Sequence, residues 1–196
     1  MPPHKVTELP PRWRPLLITA MLTGLRPSEL RGLTWSAVDL DAKALEVRQR
    51  TDRFNQIGAP KSRAGRREVP LSPLVTQTLR LWRLTCPKSP RDLVFPNTLG
   101  SSMHITDPIR LCRHPLMRLC GLIEKLGERE IMRYEFRHLR HVAASLFIAG
   151  GALPKRIQEI MGHSSIRVTY DIYGHLFADR DADQALAADA ERRLLG

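Results

Sequence analysis

Between residues 48 and 67 the chain carries seven positive side chains, Arg48, Arg50, Arg53, Lys61, Arg63, Arg66 and Arg67, against one acid, Asp52. Guanidinium and ammonium groups at this density suit a phosphate backbone. Each phosphate they neutralise releases counterions and adds salt-sensitive affinity. A solvated charged loop is the plain alternative, and the charge of the whole chain weighs against it. Lys and Arg number 31 against 20 Asp and Glu, leaving +11 at neutral pH and a pI near 10.4. A domain this basic repels itself unless an anion offsets the charge, and nucleic acid is the usual anion. The three cysteines, Cys86, Cys112 and Cys120, form no CxxC pair. Neither a disulfide framework nor a zinc site is expected, and a reducing cytoplasm is the natural compartment. No apolar run approaches the roughly 20 residues that a spanning helix needs, so no membrane partner is expected. The N-terminal segment MPPHKVTELPPRWR lacks the apolar stretch of a signal peptide.

These side chains need a frame to position them. With 196 residues, 42% of them hydrophobic, the chain has the length of one domain with a sizeable core. Apolar residues at Leu16, Leu17, Ala20, Met21 and Leu25 have helical spacing, which predicts a helix over 12–25 ended by Gly24. A short helix over 28–33 follows, capped by Ser28 with Glu29 in its first turn. Residues 38–40, 44–50 and 66–71 read as three short antiparallel strands, with a Gly-containing loop over 55–65 before the last. From residue 72 the spacing is helical over 73–86, 106–126, 139–149 and 154–161. Gly150 and Gly151 separate the last two, and Pro154 suits an opening position. An Ala-rich amphipathic segment over 178–195 closes the chain. The expected fold class is mainly α with a small antiparallel β-sheet near its start, in one domain of residues 1–196.

Four segments, in order, resemble the boxes of the tyrosine recombinases of phage-integrase type. MGHSSIRVTYDIYGHLF, at 161–177, resembles the box in which a Gly-His pair is followed ten residues later by the nucleophilic tyrosine. Here His163 leads to Tyr173, and Gly174-His175-Leu176 come next. TGLRPSEL at 23–30 resembles the first arginine box, PKSRAGRREVPL at 60–71 the lysine hairpin, and FRHLRHVAAS at 136–145 the second arginine box. Any one of these is weak, but four in order make a specific match.

The resemblance implies the fold of the DNA breaking–rejoining enzymes. It implies a site-specific DNA recombinase that works through a 3′-phosphotyrosyl intermediate without metal or ATP. Arg26 and Arg140 would clamp the scissile phosphate, because a planar guanidinium grips two oxygens and keeps its charge. Lys61 would protonate the departing 5′-oxygen as general acid. His163 would bond a phosphoryl oxygen or assist proton transfer, and Tyr173 would attack phosphorus. No cofactor is implied, since arginines do the charge work of a metal. His138 and His141 join the hairpin cations as DNA contacts. The implied partner is double-stranded DNA, bound by a homo-tetramer on paired sites, with a monomer expected without DNA. The tail, 178–196, would be exchanged between protomers or folded on its own core. Plainer roles exist: Arg26 could pair with Glu29, His163 could cap a helix, and Tyr170 competes with Tyr173.

Two departures qualify the match. Arg137 stands three residues before Arg140, where the family usually has His. On a helix, positions 137, 140 and 141 share a face, while 138 points about 100° away. Arg137 would complete a three-arginine cradle, but a guanidinium, which holds its proton at neutral pH, is a poor base. Deprotonation of Tyr173 would then rest on water, on His163 or on depression of its pKa by the arginines, unless a one-residue shift brings His138 inward. A catalytically weak DNA-binding remnant is therefore a competing reading, and a topoisomerase IB-like relaxing enzyme is another. The second departure is length. The family's N-terminal core-binding domain does not fit before residue 12 and is expected to be absent, which would leave weak DNA binding.

Overall fold

The computed structural model describes residues 11–107, 123–126, 129–132, 136, 138–177 and 180–195. Helix α1 (Arg14–Thr23) buries Leu16, Leu17, Ile18 and Ala20 and stops at Gly24 with φ of 65°. A side chain in this left-handed region costs about 1–2 kcal/mol. A Cβ on Gly24 would also stand 2.8 Å from the Met161 sulfur and 3.2 Å from the Ala143 Cβ. The missing side chain lets the end of α1 lie against two later helices. Helix α2 (Pro27–Gly32) begins at once, and its cap is Arg26 rather than the expected Ser28. The Glu29 carboxylate turns back to accept the Arg26 backbone N–H at 2.8 Å.

Strands β1 (Val38–Asp39), β2 (Ala44–Val47) and β5 (Arg67–Pro70) form an antiparallel sheet in the order β1-β2-β5, with Leu45 opposite both Val38 and Val69. Leu45, Val47 and Val69 are buried and Glu46 and Glu68 are exposed, the period-two pattern of a one-sided sheet. The strand expected over 44–50 stops early. Arg50–Thr51 is a separate strand, β3, paired with β4 (Ile57–Gly58) inside what reads in sequence as a loop. Helix α3 (Pro73–Thr85) is capped by Ser72, whose Oγ accepts from Val75 at 3.4 Å, and packs on α1.

The helix expected over 106–126 does not include 123–126. Ile123–Leu126 is strand β6, antiparallel to β7 (Arg129–Met132), and residues 108–122 lie outside the described set. Then come α4 (His138–Ala149), α5 (Pro154–Met161), α6 (Ile166–Tyr173) and α7 (Arg180–Leu195). Helix α4 packs on α1, and α5 packs against α4, α6 and β5. Leu16, Leu17, Leu30, Leu45, Leu79, Ile157 and Met161 share one core. Helix and sheet therefore converge on the end of α5. Among the described residues no helix is long and apolar enough to cross a membrane.

Candidate active site

Helix α5 ends at Gly162, with φ of 62°. The turn is fixed by two backbone bonds, Gly162 N–H to Glu159 O and His163 N–H to Gln158 O, each 3.0 Å. The last carbonyls of a helix have no partner within it and carry its negative end. Three arginines from distant parts of the chain meet them. Arg26 Nη2 donates to Gly162 O at 3.0 Å, and Arg67 Nε donates to Ile160 O at 2.6 Å. Arg140 donates through Nη2 to Met161 O and through Nη1 to Gly24 O at 2.5 Å. Gly162 has no room for a side chain, since a Cβ would lie 2.8 Å from both Ala64 O and Arg67 Nη1.

Glu29, only 4% exposed, is the carboxylate bonded to this group among the described residues. It pairs with Arg26 Nη1 at 2.8 Å and with Arg67 Nη1 and Nη2 at 3.0 and 2.9 Å. Burial works to raise the Glu29 pKa. Hydrogen bonding and charge from Arg67, then from Arg26, outweigh it and hold the carboxyl below its ordinary range. Among the described residues no carboxylate bonds Arg140. Burial, then repulsion from Arg26, pull its guanidinium pKa down to about 9. Among the described residues, then, Glu29 bonds two of the three guanidiniums and the third meets only backbone carbonyls.

His163 is buried beside them, its Nδ1 3.0 Å from Thr169 Oγ1 on α6. Burial, followed by the charges of Arg140, Arg26 and Arg67, lowers its pKa to about 4, so the ring is neutral at pH 7. The Tyr173 ring, 3% exposed, stacks on it with centroids 6.2 Å apart and planes at 17°. The Tyr173 hydroxyl lies 3.0 Å from His141 Nδ1 on α4. Burial raises the phenol pKa and Arg140 opposes that rise.

Arg26, Arg140, His163 and Tyr173 therefore come together. Lys61 is exposed on the loop after β4 and lines an open groove of about 600 Å³ with Arg26, Arg50, Arg53 and Arg140. Arg63 and Arg66 are exposed nearby, and Arg48 is exposed but paired with Glu46 at 2.6 Å. Arg67 is placed differently from the expectation of a DNA contact. Its side chain is 5% exposed and braces Arg26 through Glu29, because a bidentate carboxylate and a helix end hold it inward. His141, also expected as a DNA contact, holds the Tyr173 hydroxyl, and the His138 ring lies 5.9 Å from its own. Tyr170 is half exposed and does not compete for the buried position. Arg137 lies outside the described residues. The sequence carries no local sign of the roles of Arg67 and His141, nor of Arg26 as a cap, since the readable capping signature starts on Ser, Thr, Asp or Asn.

Residues 5–180 match the model of the phage integrase family. The chain belongs to that family. Prophage integrase IntR of Escherichia coli K12 is 28% identical over 187 residues, covering 87% of this chain and 45% of that protein. Tyrosine recombinase XerC of Xylella fastidiosa strain 9a5c is 32% identical over 171 residues, covering 87% and 50%. This phage-integrase chain thus spans about half the length of the curated relatives it matches. The Tn1549 transposon integrase, solved in complex with circular intermediate DNA, superposes with a TM-score of 0.72 at 24% identity, covering 94% of this chain and 60% of that one. The XerA recombinase superposes with a TM-score of 0.66 at 21% identity, covering 97% and 64%. These likenesses show the fold, mostly helical with small antiparallel sheets.

Proposed function

We propose that the chain, as a single unit of residues 1–196, is the catalytic domain of a site-specific recombinase that cuts and rejoins DNA through Tyr173. One observation carries this reading. The turn at 161–163 holds Arg26, Arg140 and His163 together, with the buried Tyr173 stacked on His163. Among the described residues, three guanidiniums against one carboxylate match the charge that gathers on a phosphoryl group.

In this mechanism Arg26 and Arg140 grip the non-bridging oxygens of the phosphate. His141, with its proton on Nε2, accepts the phenolic proton at Nδ1, so it takes the part of base that Arg137 cannot play. The tyrosyl oxygen attacks phosphorus, and the bond to the 5′-oxygen breaks. Lys61 gives that oxygen a proton, and the 3′-phosphate stays on Tyr173. Neutral His163, held through Nδ1 by Thr169, offers its other ring nitrogen to a phosphoryl oxygen. Rejoining reverses each step: a 5′-hydroxyl attacks, its proton returns to Lys61, and the phenol recovers its own from His141. Bond energy is kept in the ester, so the reaction as written needs no metal and no ATP.

Double-stranded DNA is the partner, in the cytoplasm. The solved relatives in complex with DNA support this choice, as do the groove cations. The same reading takes the free chain as a monomer and the working form as a tetramer on paired sites. Leu194 and Leu195 on α7, 85% and 76% exposed, are then available to a neighbouring protomer. The test is a set of nicked duplexes with randomised flanks, scored for a detergent-stable protein–DNA adduct. The wild-type chain should form it and Tyr173→Phe should not. His141→Gln should form it about a hundredfold more slowly, the lower range for loss of a positioned base. Tight binding by wild type with no adduct would instead favour the DNA-binding remnant. Relaxation of supercoiled plasmid without site preference would favour the topoisomerase-like enzyme.

A further inference from the structure

Phe54 stands at the tip of the β3–β4 hairpin with 68% of its surface exposed. A single exposed phenyl is ordinary on a surface. The turn that carries this one is not ordinary, because it is fixed from below. Asp52 Oδ1 accepts the N–H groups of Phe54 and Gln56 at 2.8 and 3.0 Å, and the Asp52 N–H donates to Gln56 O at 2.9 Å. Asn55 sits at φ of 62°, which an asparagine tolerates. Beneath the turn lies Arg31, 1% exposed. It donates to the carbonyls of Thr51, Asp52 and Met103 at 3.3, 3.0 and 2.8 Å, and to Asn55 Oδ1. Burying a guanidinium is costly unless its donors are satisfied. Here that cost goes into stiffening a loop whose exposed side chains include a cation and a ring. The Arg53 guanidinium stands 4.7 Å from the Phe54 ring centroid, so the two are presented as one unit.

This unit borders the groove that also contains Arg26, Lys61 and Arg140. A ring set among Arg26, Arg50, Lys61 and Arg140, with Ile105 as the other exposed large apolar side chain of the groove, is a poor dock for an apolar protein surface. It suits DNA, where phosphates meet the cations and an apolar side chain reaches a base step. We propose that Phe54 is a wedge that enters a groove of duplex DNA beside the phosphate held by Arg26 and Arg140. There it stacks on a base step that it opens, while Arg53 bonds the adjoining backbone. The inference rests on reading the groove as the seat of DNA. It adds a device that distorts the duplex at the point of cleavage.

The test measures binding of the whole chain to a mixed-sequence duplex and to the same duplex with a central mismatched bubble, where unstacking has already occurred. Wild type should prefer the bubble by about fivefold or more, the lower end of what base–aromatic stacking contributes. Phe54→Ala should lose that preference yet keep its affinity for the intact duplex within about twofold and keep its salt dependence. Phe54→Trp should retain the preference. Because the side chain is exposed, thermal unfolding of Phe54→Ala should match wild type. A Phe54→Ala chain that still prefers the bubble, or that weakens equally on both DNAs, overturns the wedge. Equal binding of both DNAs by wild type overturns it too, with the recombinase reading intact. Failure of wild type to bind either duplex overturns both.

Discussion

Burial keeps Tyr173 and His163 neutral, but the arginines act on the two in opposite senses. Arg140 eases ionisation of the phenol and discourages protonation of the imidazole. The imidazole has a stability consequence. In the unfolded chain a histidine takes up its proton near 6.5, whereas in the fold His163 does so only near 4. Its folded pKa is depressed, so the unfolded chain binds the extra proton between those values. Stability is full above about 6.5 and falls as pH drops towards 4. The urea midpoint of wild type should decline more steeply across that window than the midpoint of His163→Gln. Parallel curves would show that His163 is protonated in the fold as readily as in the unfolded chain. At this scale motif spacing picks out groups that do meet in the fold, as for Tyr173 ten residues after His163, whose rings stack. The sequence was a poor guide to direction. Arg66 and Arg67 are neighbours in one basic run, yet the first is exposed and the second is buried on Glu29. That difference is set by partners 38 and 93 residues away, which no local pattern contains.

The end of α5 is the element on which the site depends, and Gly162 is its tightest point. Gly162→Ala would place a Cβ 2.8 Å from Ala64 O and from Arg67 Nη1. It would also add the left-handed backbone penalty of about 1 kcal/mol or more. Denaturant unfolding should show a loss beyond that penalty alone, because Arg67 must leave its place on Glu29. A loss no larger than the penalty would mean that the loop at 63–65 yields freely. Elements differ in how readable they are, for physical reasons. Helix α3 and the one-sided strand β2 show their periods plainly. Strands β3 and β4 have two residues each, too few for any alternation. The β6–β7 pair, IEKL and REIM, is built of good helix formers that tertiary pairing has overridden. Helix α6 is the converse case: IRVTYDIY is rich in β-branched and aromatic residues yet helical, started by the Ser165 cap.

Across the whole molecule, charge is the dominant property: +11 spread over 196 residues, with a groove whose cations outnumber its one acid. The logarithm of duplex affinity should fall linearly with the logarithm of salt concentration. Arg63→Ala and Arg66→Ala, both at exposed positions, should each flatten that slope by about one unit. Unchanged slopes in both variants would place the DNA path elsewhere on the surface. The overall architecture was accessible from sequence because four motifs and the helical periods agree. The way the hairpin, α2 and α5 knit around one turn was not, since it depends on contacts far apart along the chain.

Under the proposed recombinase reading, the 161–163 turn draws its attacking group and its anion cradle from the same polypeptide. Each copy in an assembly then brings its own tyrosine, and no copy waits for a neighbour to lend one. Order in an assembly, such as which strands are opened first, must then be imposed by restraint: something has to hold finished copies idle.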